Sequence, residues 1–184
     1  MTTRSGSASA LLVVDVQVGV VAQAWDRDRI VANIWLAVRR ARESGVPVLW
    51  VQHHDEELKR DSPAWQWVPE LEPAPGEARI HKSYNSSFEN TELTAELDRL
   101  GVGRIFLAGA ATNWRIRATA YGALDRGYDL TLLRDAHTTQ DMEIAPGRVV
   151  EARSVVDDLN VTMRWLSYPG RIITAASVAE ASFA

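Results

Sequence analysis

Short apolar runs that alternate with amphipathic segments constrain the fold of this chain most strongly. Several runs are almost continuously apolar, as strands buried on both faces of a parallel sheet are. Between them, apolar residues recur at the three- and four-residue spacing of a helix. The predicted strands are residues 10–15, 46–51, 78–82, 104–108, 129–134 and 171–174. Regular alternation of strands and helices predicts an α/β fold of three layers, with a six-stranded parallel sheet between two layers of helices.

The helices and loops complete one domain over residues 10–184, preceded by a polar, flexible segment over 1–9. Helices are predicted from about residue 28 to Gly45, over 91–100 after an Asn90 or Thr91 N-cap, from Thr112 or Asn113 onward, and from about 149 to 163. Residues 54–76 are charged, then rich in Trp and Pro. Because a long loop in a compact domain is usually functional, this segment is predicted to form a lid or a wall of a site.

Composition excludes several function classes. The chain has 184 residues, a formal net charge of −4 and no cysteine, so disulfides, thiolate metal sites and thiol catalysis are excluded. A mildly acidic chain without basic runs is not expected to bind nucleic acid or a membrane surface. No signal-peptide core or membrane-length apolar run is present, which predicts a cytoplasmic protein. No glycine-rich phosphate loop follows the first strand, and no cofactor is expected.

The stretch Gly109–Arg115 follows the fourth predicted strand and opens a helix. In an α/β protein the ligand crevice lies outside the carboxyl ends of the strands, where this turn is placed. Arg115 falls in the first helical turn, where the helix dipole favours anions over cations. A cation at this position needs an anionic partner, either from the protein or from a ligand.

Four motifs occur in order at the ends of predicted strands, within residues 12–17, 82–88, 109–120 and 127–136. In this combination the chain resembles the isochorismatase-like hydrolases, a superfamily that also contains nicotinamidases and other cysteine hydrolases. The resemblance extends from about residue 10 to 183. It implies a sheet ordered 3-2-1-4-5-6, with the site where the order reverses between the first and fourth strands.

The family's Asp–Lys–Cys triad is only partly present. The resemblance places the acid at Asp15 and the lysine at Lys82, but the position of the nucleophile holds Arg115. It also implies a cis peptide between Ala110 and Ala111, whose local N–H groups would form an oxyanion hole.

The missing thiol changes the expected chemistry. A guanidinium is a donor only and cannot attack a carbonyl, and the serines at 83, 86 and 87 have no evident histidine base. Relatives that cleave isochorismate keep the Asp and Lys without the Cys and add water to a vinyl ether. The expected enzyme is therefore a hydrolase of a small, anionic or cyclic molecule, in which Asp15 acts as general acid/base, Lys82 balances charge and Arg115 clamps a carboxylate.

Alternatives remain open at Arg115. It could form a structural ion pair with Asp15 and fill the pocket, leaving a non-catalytic relative that binds a ligand or serves assembly. It could also be a change introduced into a cysteine amidohydrolase.

Further residues are placed by their position near these strand ends. Gln17, Trp114, His54 and Trp67 are candidates for the pocket wall. His53 and His54 lack the Asp-x-His pattern of the nicotinamidase metal site, so no metal is expected. His81 should point away from Lys82, His137 should serve the turn after the fifth strand, and Arg117 should be solvated or paired with an acid. The Trp-rich loop and the tail after Pro169 suit an intersubunit contact, which predicts a homodimer or larger homo-oligomer.

Overall fold

The computed structural model describes residues 6–183. Its strands are β1 (Ala8–Val14), β2 (Val48–His53), β3 (Ala78–Lys82), β4 (Val102–Ala110), β5 (Asp129–Thr138), β6 (Met142–Ala145), β7 (Arg148–Val150) and β8 (Ile173–Ala176). Six of them form one sheet in the order β3-β2-β1-β4-β5-β8, with every neighbouring pair parallel. The predicted six-stranded sheet and its order, with β8 as the sixth strand, are confirmed.

The helices cover both faces of this sheet. They are α1 (Val18–Val21), α2 (Arg27–Glu43), α3 (Leu93–Arg99), α4 (Arg117–Asp125) and α5 (Ala152–Trp165), and a π-helical turn, Thr112–Ile116, precedes α4. The side chains of successive β1 residues point to opposite faces of the sheet. Leu11 and Val13 belong to the apolar cluster under α2, whereas Leu12 and Val14 belong to the cluster under α3, α4 and α5. Because both faces are buried, β1 is apolar almost throughout.

The segment before α5 differs from the prediction. Instead of a helix from about residue 149, β6 and β7 form an antiparallel hairpin, and α5 begins only at Ala152. Pro146 and Gly147 lie between the two strands, and Gly147 has a φ of +71°, as a tight turn requires. The side chain of Asp141 accepts a hydrogen bond from the Ala152 amide at 2.8 Å and so satisfies the start of α5.

The predicted N-caps are also wrong. Ala111, not Thr112 or Asn113, precedes the π-helical turn, and no side chain caps it. Glu92 is the N-cap residue of α3, although the Thr91 hydroxyl accepts from the Leu93 amide at 3.3 Å while it donates to the Ser87 carbonyl at 2.6 Å. The side chains of Thr112 and Asn113 instead contact His137 and Thr139.

Strand ends differ by a few residues. β5 continues to Thr138, so His137 lies within a strand and not in a turn. β1 begins at Ala8, inside the segment predicted to be flexible; residues 1–5 of that segment lie outside the described residues. Over the part of the chain that is described, no helix is both long and apolar enough to cross a bilayer.

Candidate active site

Asp15 directly follows β1, at the point where the sheet order reverses between β1 and β4. Its φ of 53° is left-handed, a conformation that Asp tolerates better than most residues. Its amide donates to the Val51 carbonyl at 2.8 Å, which fixes the residue against β2. The side chain is fully buried, with 0% exposure.

Lys82 ends β3 and reaches across β2 to this carboxylate. Its ammonium donates to Asp15 Oδ2 at 2.6 Å and to the Tyr84 carbonyl at 3.1 Å. The lysine side chain is as buried as that of Asp15. Two charges removed from water in this way need each other, because an unpaired buried charge is strongly destabilising.

Arg115 brings a second cation to the same oxygen. Its Nε lies 3.3 Å from Asp15 Oδ2, and its side chain is 19% exposed. This contact is an ion pair without hydrogen-bond geometry, since Arg115 Nε has no hydrogen-bond partner among residues 6–183. The backbone N–H groups of Trp114, Arg115 and Ile116 all donate to the Ala111 carbonyl. The side chains of Asp15, Lys82 and Arg115 thus lie together, as the sequence predicted.

The two oxygens of the Asp15 carboxylate differ in their partners. Both cations contact Oδ2, while Oδ1 is buried and has no hydrogen-bond partner within the described chain. Burial raises the pKa of Asp15, and the charges of Lys82 and Arg115 oppose this shift. Burial also lowers the pKa of Lys82, against the attraction of Asp15. A carboxyl with a raised pKa beside an ammonium with a lowered pKa is suited to proton exchange.

The turn between β4 and the π-helical turn has the predicted backbone. The Ala110–Ala111 peptide is cis, and Gly109 has a φ of 129°. A Cβ at Gly109 would lie 2.0 Å from the Val14 carbonyl oxygen, so only glycine lets β4 pass β1 this closely. Beyond the turn, Thr112 Oγ1 lies 2.9 Å from Nδ1 of the buried His137, whose Nε2 lies 2.9 Å from Asn160 Oδ1. This chain ties the segment that carries Arg115 to α5.

An open cleft of about 500 Å³ lies over Arg115. Its walls come from α1, the loop after β2, the π-helical turn and the start of the hairpin. The residues that line it are Gly19, Val20, Asp55, Glu57, Leu58, Ala64, Ala111, Trp114, Arg115, Thr139, Gln140 and Met142. Neither Asp15 nor Lys82 is among them, so Arg115 separates the buried pair from the cleft.

Of the four predicted pocket-wall residues, the structure places Trp114 in the cleft lining and the other three elsewhere. Gln17 is fully buried, and its amide bonds the backbone of His53 and the Trp65 carbonyl. Trp67 packs edge-on against Trp50, with ring centroids 5.3 Å apart. These two side chains join the Trp-rich loop to β1 and β2.

His54 contacts Ser83, which corrects the expectation that this serine has no histidine neighbour. Ser83 Oγ lies 3.1 Å from His54 Nδ1, and Arg60 Nη2 lies 2.6 Å from His54 Nε2. Because a guanidinium only donates, Nε2 must be the acceptor and Nδ1 must carry the proton. His54 therefore donates to Ser83 and cannot act as its base.

Other predicted placements agree with the structure. His81 is exposed, unlike the neighbouring Lys82, and stacks on Trp65. Arg117 forms an ion pair with Asp158 of α5.

The loop predicted to form a wall lines the cleft with Asp55, Glu57, Leu58 and Ala64, but sequence reasoning missed the contact of Asp55 with His53 and the hairpin. Asp55 Oδ2 lies 2.9 Å from His53 Nε2, a contact that depends on the chain turning just after β2. The turn residues Pro146 and Gly147, which lie between two short segments with apolar residues, could have indicated the hairpin.

The family model described as Isochorismatase domain matches residues 9–152. The chain belongs to the isochorismatase family. It is 35% identical over 145 residues to a streptothricin hydrolase of Streptomyces noursei; the match covers 75% of this chain but 57% of that protein, so the chain spans little more than half of that relative. It is 26% identical over 174 residues to a probable inactive nicotinamidase of Arabidopsis thaliana, covering 80% of this chain and 89% of that protein.

Among solved structures of the isochorismatase family, an isochorismatase from Pseudomonas putida KT2440 superposes with a TM-score of 0.83 at 27% identity, covering 97% of this chain and 91% of that chain.

Proposed function

We propose that this isochorismatase-family member hydrolyses a small, anionic or cyclic organic molecule by acid–base chemistry with water. Asp15 transfers the proton, Lys82 and Arg115 hold the charge of its carboxylate, and Arg115 also binds the anionic group of the substrate. The observation that carries this proposal is the difference between the two Asp15 oxygens. Oδ2 contacts both cations, whereas Oδ1 has no hydrogen-bond partner among the described residues. An acid–base group needs such an oxygen for the substrate's proton.

The substrate must displace Arg115 to reach Asp15. The Arg115 side chain is 19% exposed and lines the cleft, and the contact of its Nε with Asp15 lacks hydrogen-bond geometry. A substrate carboxylate can accept two parallel N–H bonds from a guanidinium, a stronger arrangement than this one. Binding of the anion therefore draws Arg115 away from Asp15 and uncovers the proton-transfer group.

A vinyl ether illustrates the chemistry. The protonated Asp15 carboxyl gives its proton to the terminal vinylic carbon, which leaves an oxocarbenium ion. Water adds to the positive carbon and loses a proton, and the bond to the leaving oxygen breaks as that oxygen is protonated. One water is consumed, an alcohol and a carbonyl compound form, and Asp15 regains a proton. A thiol nucleophile is not needed at any step.

A panel of vinyl ethers and amides tests this proposal. We expect turnover of at least one anionic vinyl ether, and a loss of about a hundredfold or more in kcat for Asp15→Asn. Asp158→Asn is the matched control, because that carboxylate pairs with Arg117 on the exposed surface. Turnover that is unaffected by Asp15→Asn would remove the proposal.

A second candidate, ligand binding without catalysis, is favoured by one observation. Asp15 is fully buried and Arg115 lies between it and the cleft; the relative named as a probable inactive nicotinamidase agrees with a binding role. Calorimetry on the same panel separates the candidates. Binding without turnover, unchanged in Asp15→Asn and lost in Arg115→Ala, supports this second function.

A further inference from the structure

His53 is the last residue of β2 and lies next to the Asp15–Lys82 pair. It is paired in register with Lys82 on β3, and side chains at paired positions of neighbouring strands project to the same face of a sheet. The residue is 5% exposed. Its backbone is held on both sides by one side chain, since Gln17 Oε1 accepts from the His53 amide and Gln17 Nε2 donates to its carbonyl, both at 3.0 Å.

Asp55 determines which ring nitrogen of His53 carries the proton. Its Oδ1 accepts from the backbone amides of Leu58 at 2.7 Å and Glu57 at 2.9 Å. These amides, the Leu58 amide above all, lower the pKa of Asp55 and keep it ionised. Because an ionised carboxylate only accepts, the contact of 2.9 Å between Asp55 Oδ2 and His53 Nε2 requires a proton on Nε2.

The second ring nitrogen is left with a lone pair. His53 Nδ1 is buried and has no hydrogen-bond partner within the described chain. Burial, Arg115 and Lys82 lower the pKa of His53, while Asp55 and Asp15 oppose them. The ring is therefore neutral near pH 7, with a basic nitrogen available. His137 differs, since both of its ring nitrogens have partners.

We propose that His53 Nδ1 is the base that activates water, and that Asp55 is the positioning residue that fixes its tautomer. The inference rests on the proposed hydrolysis and assigns its second proton transfer. The oxygen of water forms a bond to the positive carbon while one water proton passes to Nδ1. The imidazolium is stabilised by Asp55 and then gives this proton to the leaving oxygen as its bond to carbon breaks. The proton that remains on the water-derived oxygen passes to the Asp15 carboxylate, and that oxygen becomes the carbonyl oxygen of the product. The sum is one water added across the cleaved bond.

Kinetics of His53→Gln and Asp55→Asn test the assignment on the substrate found in the panel. We expect His53→Gln to lower kcat about a hundredfold with little change in KM. Asp55→Asn should lower kcat less and move the acidic limb of the pH profile to lower pH, because Asp55 raises the pKa of His53. His81→Gln is the matched control, since that exposed imidazole stacks on Trp65 outside the site.

An NMR measurement tests the tautomer independently of activity. In ¹⁵N-labelled protein we expect His53 to carry its proton on Nε2 at pH 7 and to titrate below pH 6.5; a ring protonated on Nδ1, or charged at pH 7, overturns the assignment. If Asp15→Asn abolishes turnover and a folded His53→Gln keeps it, this inference fails while the proposed function stands. A wild type that turns over no substrate overturns both.

Discussion

Two clusters of charge lie at opposite ends of β3, and they are built differently. Glu77 immediately precedes the strand and Lys82 ends it. Each cluster joins a carboxylate with little exposure to a cation from another element. The Glu77 cluster stabilises the fold, whereas the Asp15 cluster leaves one carboxylate oxygen unbonded by the described residues and so free to bond a ligand.

The Glu77 cluster is fully satisfied. Oε1 accepts from Arg42 Nε at 2.8 Å, and Oε2 accepts from Arg42 Nη2, the Trp50 indole and the Ala74 amide at 2.9, 2.6 and 2.8 Å. Burial opposes ionisation, but these hydrogen bonds lower the pKa of Glu77. The folded protein therefore stabilises the carboxylate, and the cluster ties α2 and the loop before β3 to the sheet.

The Asp15 cluster is not satisfied. One carboxylate oxygen has no partner among residues 6–183, and Arg115 makes an ion pair without a hydrogen bond from Nε. Burial raises the pKa of Asp15 despite two adjacent cations. The fold thus carries an under-satisfied carboxylate at the carboxyl end of the sheet, which is where ligands bind in α/β proteins.

The largest expected effect comes from placing a thiol in the Asp15 cluster. In Arg115→Cys the thiol would lie near Lys82, whose charge lowers thiol pKa values. We expect amide hydrolysis that the wild type lacks, abolished by iodoacetamide, because the variant's thiol is the only one in the chain. Arg115→Ser is the control. A Cys variant that is alkylated but never cleaves an amide would show that the cluster is not equivalent to the family triad.

Removing Arg115 tests whether its charge serves the ligand or the fold. We expect Arg115→Ala to weaken the binding of an anionic substrate about tenfold to a hundredfold, because a bidentate contact is lost. Arg117→Ala, two residues away, removes a surface pair with Asp158 and should leave binding unchanged. Calorimetry on both variants decides this. Equal affinities would mean that Arg115 only pairs with Asp15.

A change in the Glu77 cluster should lower the free energy of unfolding. Glu77→Gln breaks charge-assisted hydrogen bonds and should cost about 2 kcal/mol, or roughly 4–8 °C in Tm, with turnover unchanged. Since the folded state lowers the pKa of Glu77, its contribution is complete above the unfolded pKa and is lost as pH falls through the folded pKa. Thermal melts should therefore converge with the wild type on acidification. A difference that is independent of pH would contradict this role of the charge.

The smallest effect concerns a surface remote from both clusters. Val161 and Trp165 lie one turn apart on α5 and are 54% and 84% exposed, and Ile172 in the tail after Pro169 is 58% exposed. We propose that a second copy of the chain covers these residues. Light scattering should show a dimer or larger assembly that Trp165→Glu weakens at unchanged Tm. A wild-type monomer at high concentration would contradict this proposal.

The carboxyl-end cluster could be predicted because parallel strands bring their ends to one edge. The family resemblance supplied the strand order and the roles of Asp15, Lys82 and Arg115, and with that order the strand ends at Asp15 and Lys82 lie at the same edge of the sheet. The amino-end cluster could not be predicted, because Arg42 and Glu77 lie on a helix and a loop whose packing no pattern specifies.

The features that were predicted wrongly or missed have different physical causes. Pro146 is compatible with a helix start but lies in a hairpin turn. Thr112 is a good N-cap but contacts His137 instead. The contact between His53 and Asp55 depends on the course of the chain after β2, for which adjacent residue types give no rule.

The most direct test places Asp15→Asn and Glu77→Gln beside the wild type in the same turnover and thermal-unfolding measurements. If the carboxylate after β1 transfers protons and the one before β3 only stabilises the fold, Asp15→Asn loses turnover even where it remains folded, although the unpaired Lys82 lowers its Tm, whereas Glu77→Gln loses Tm at full turnover. An Asp15→Asn protein that melts well below the wild type yet keeps its turnover would contradict the account.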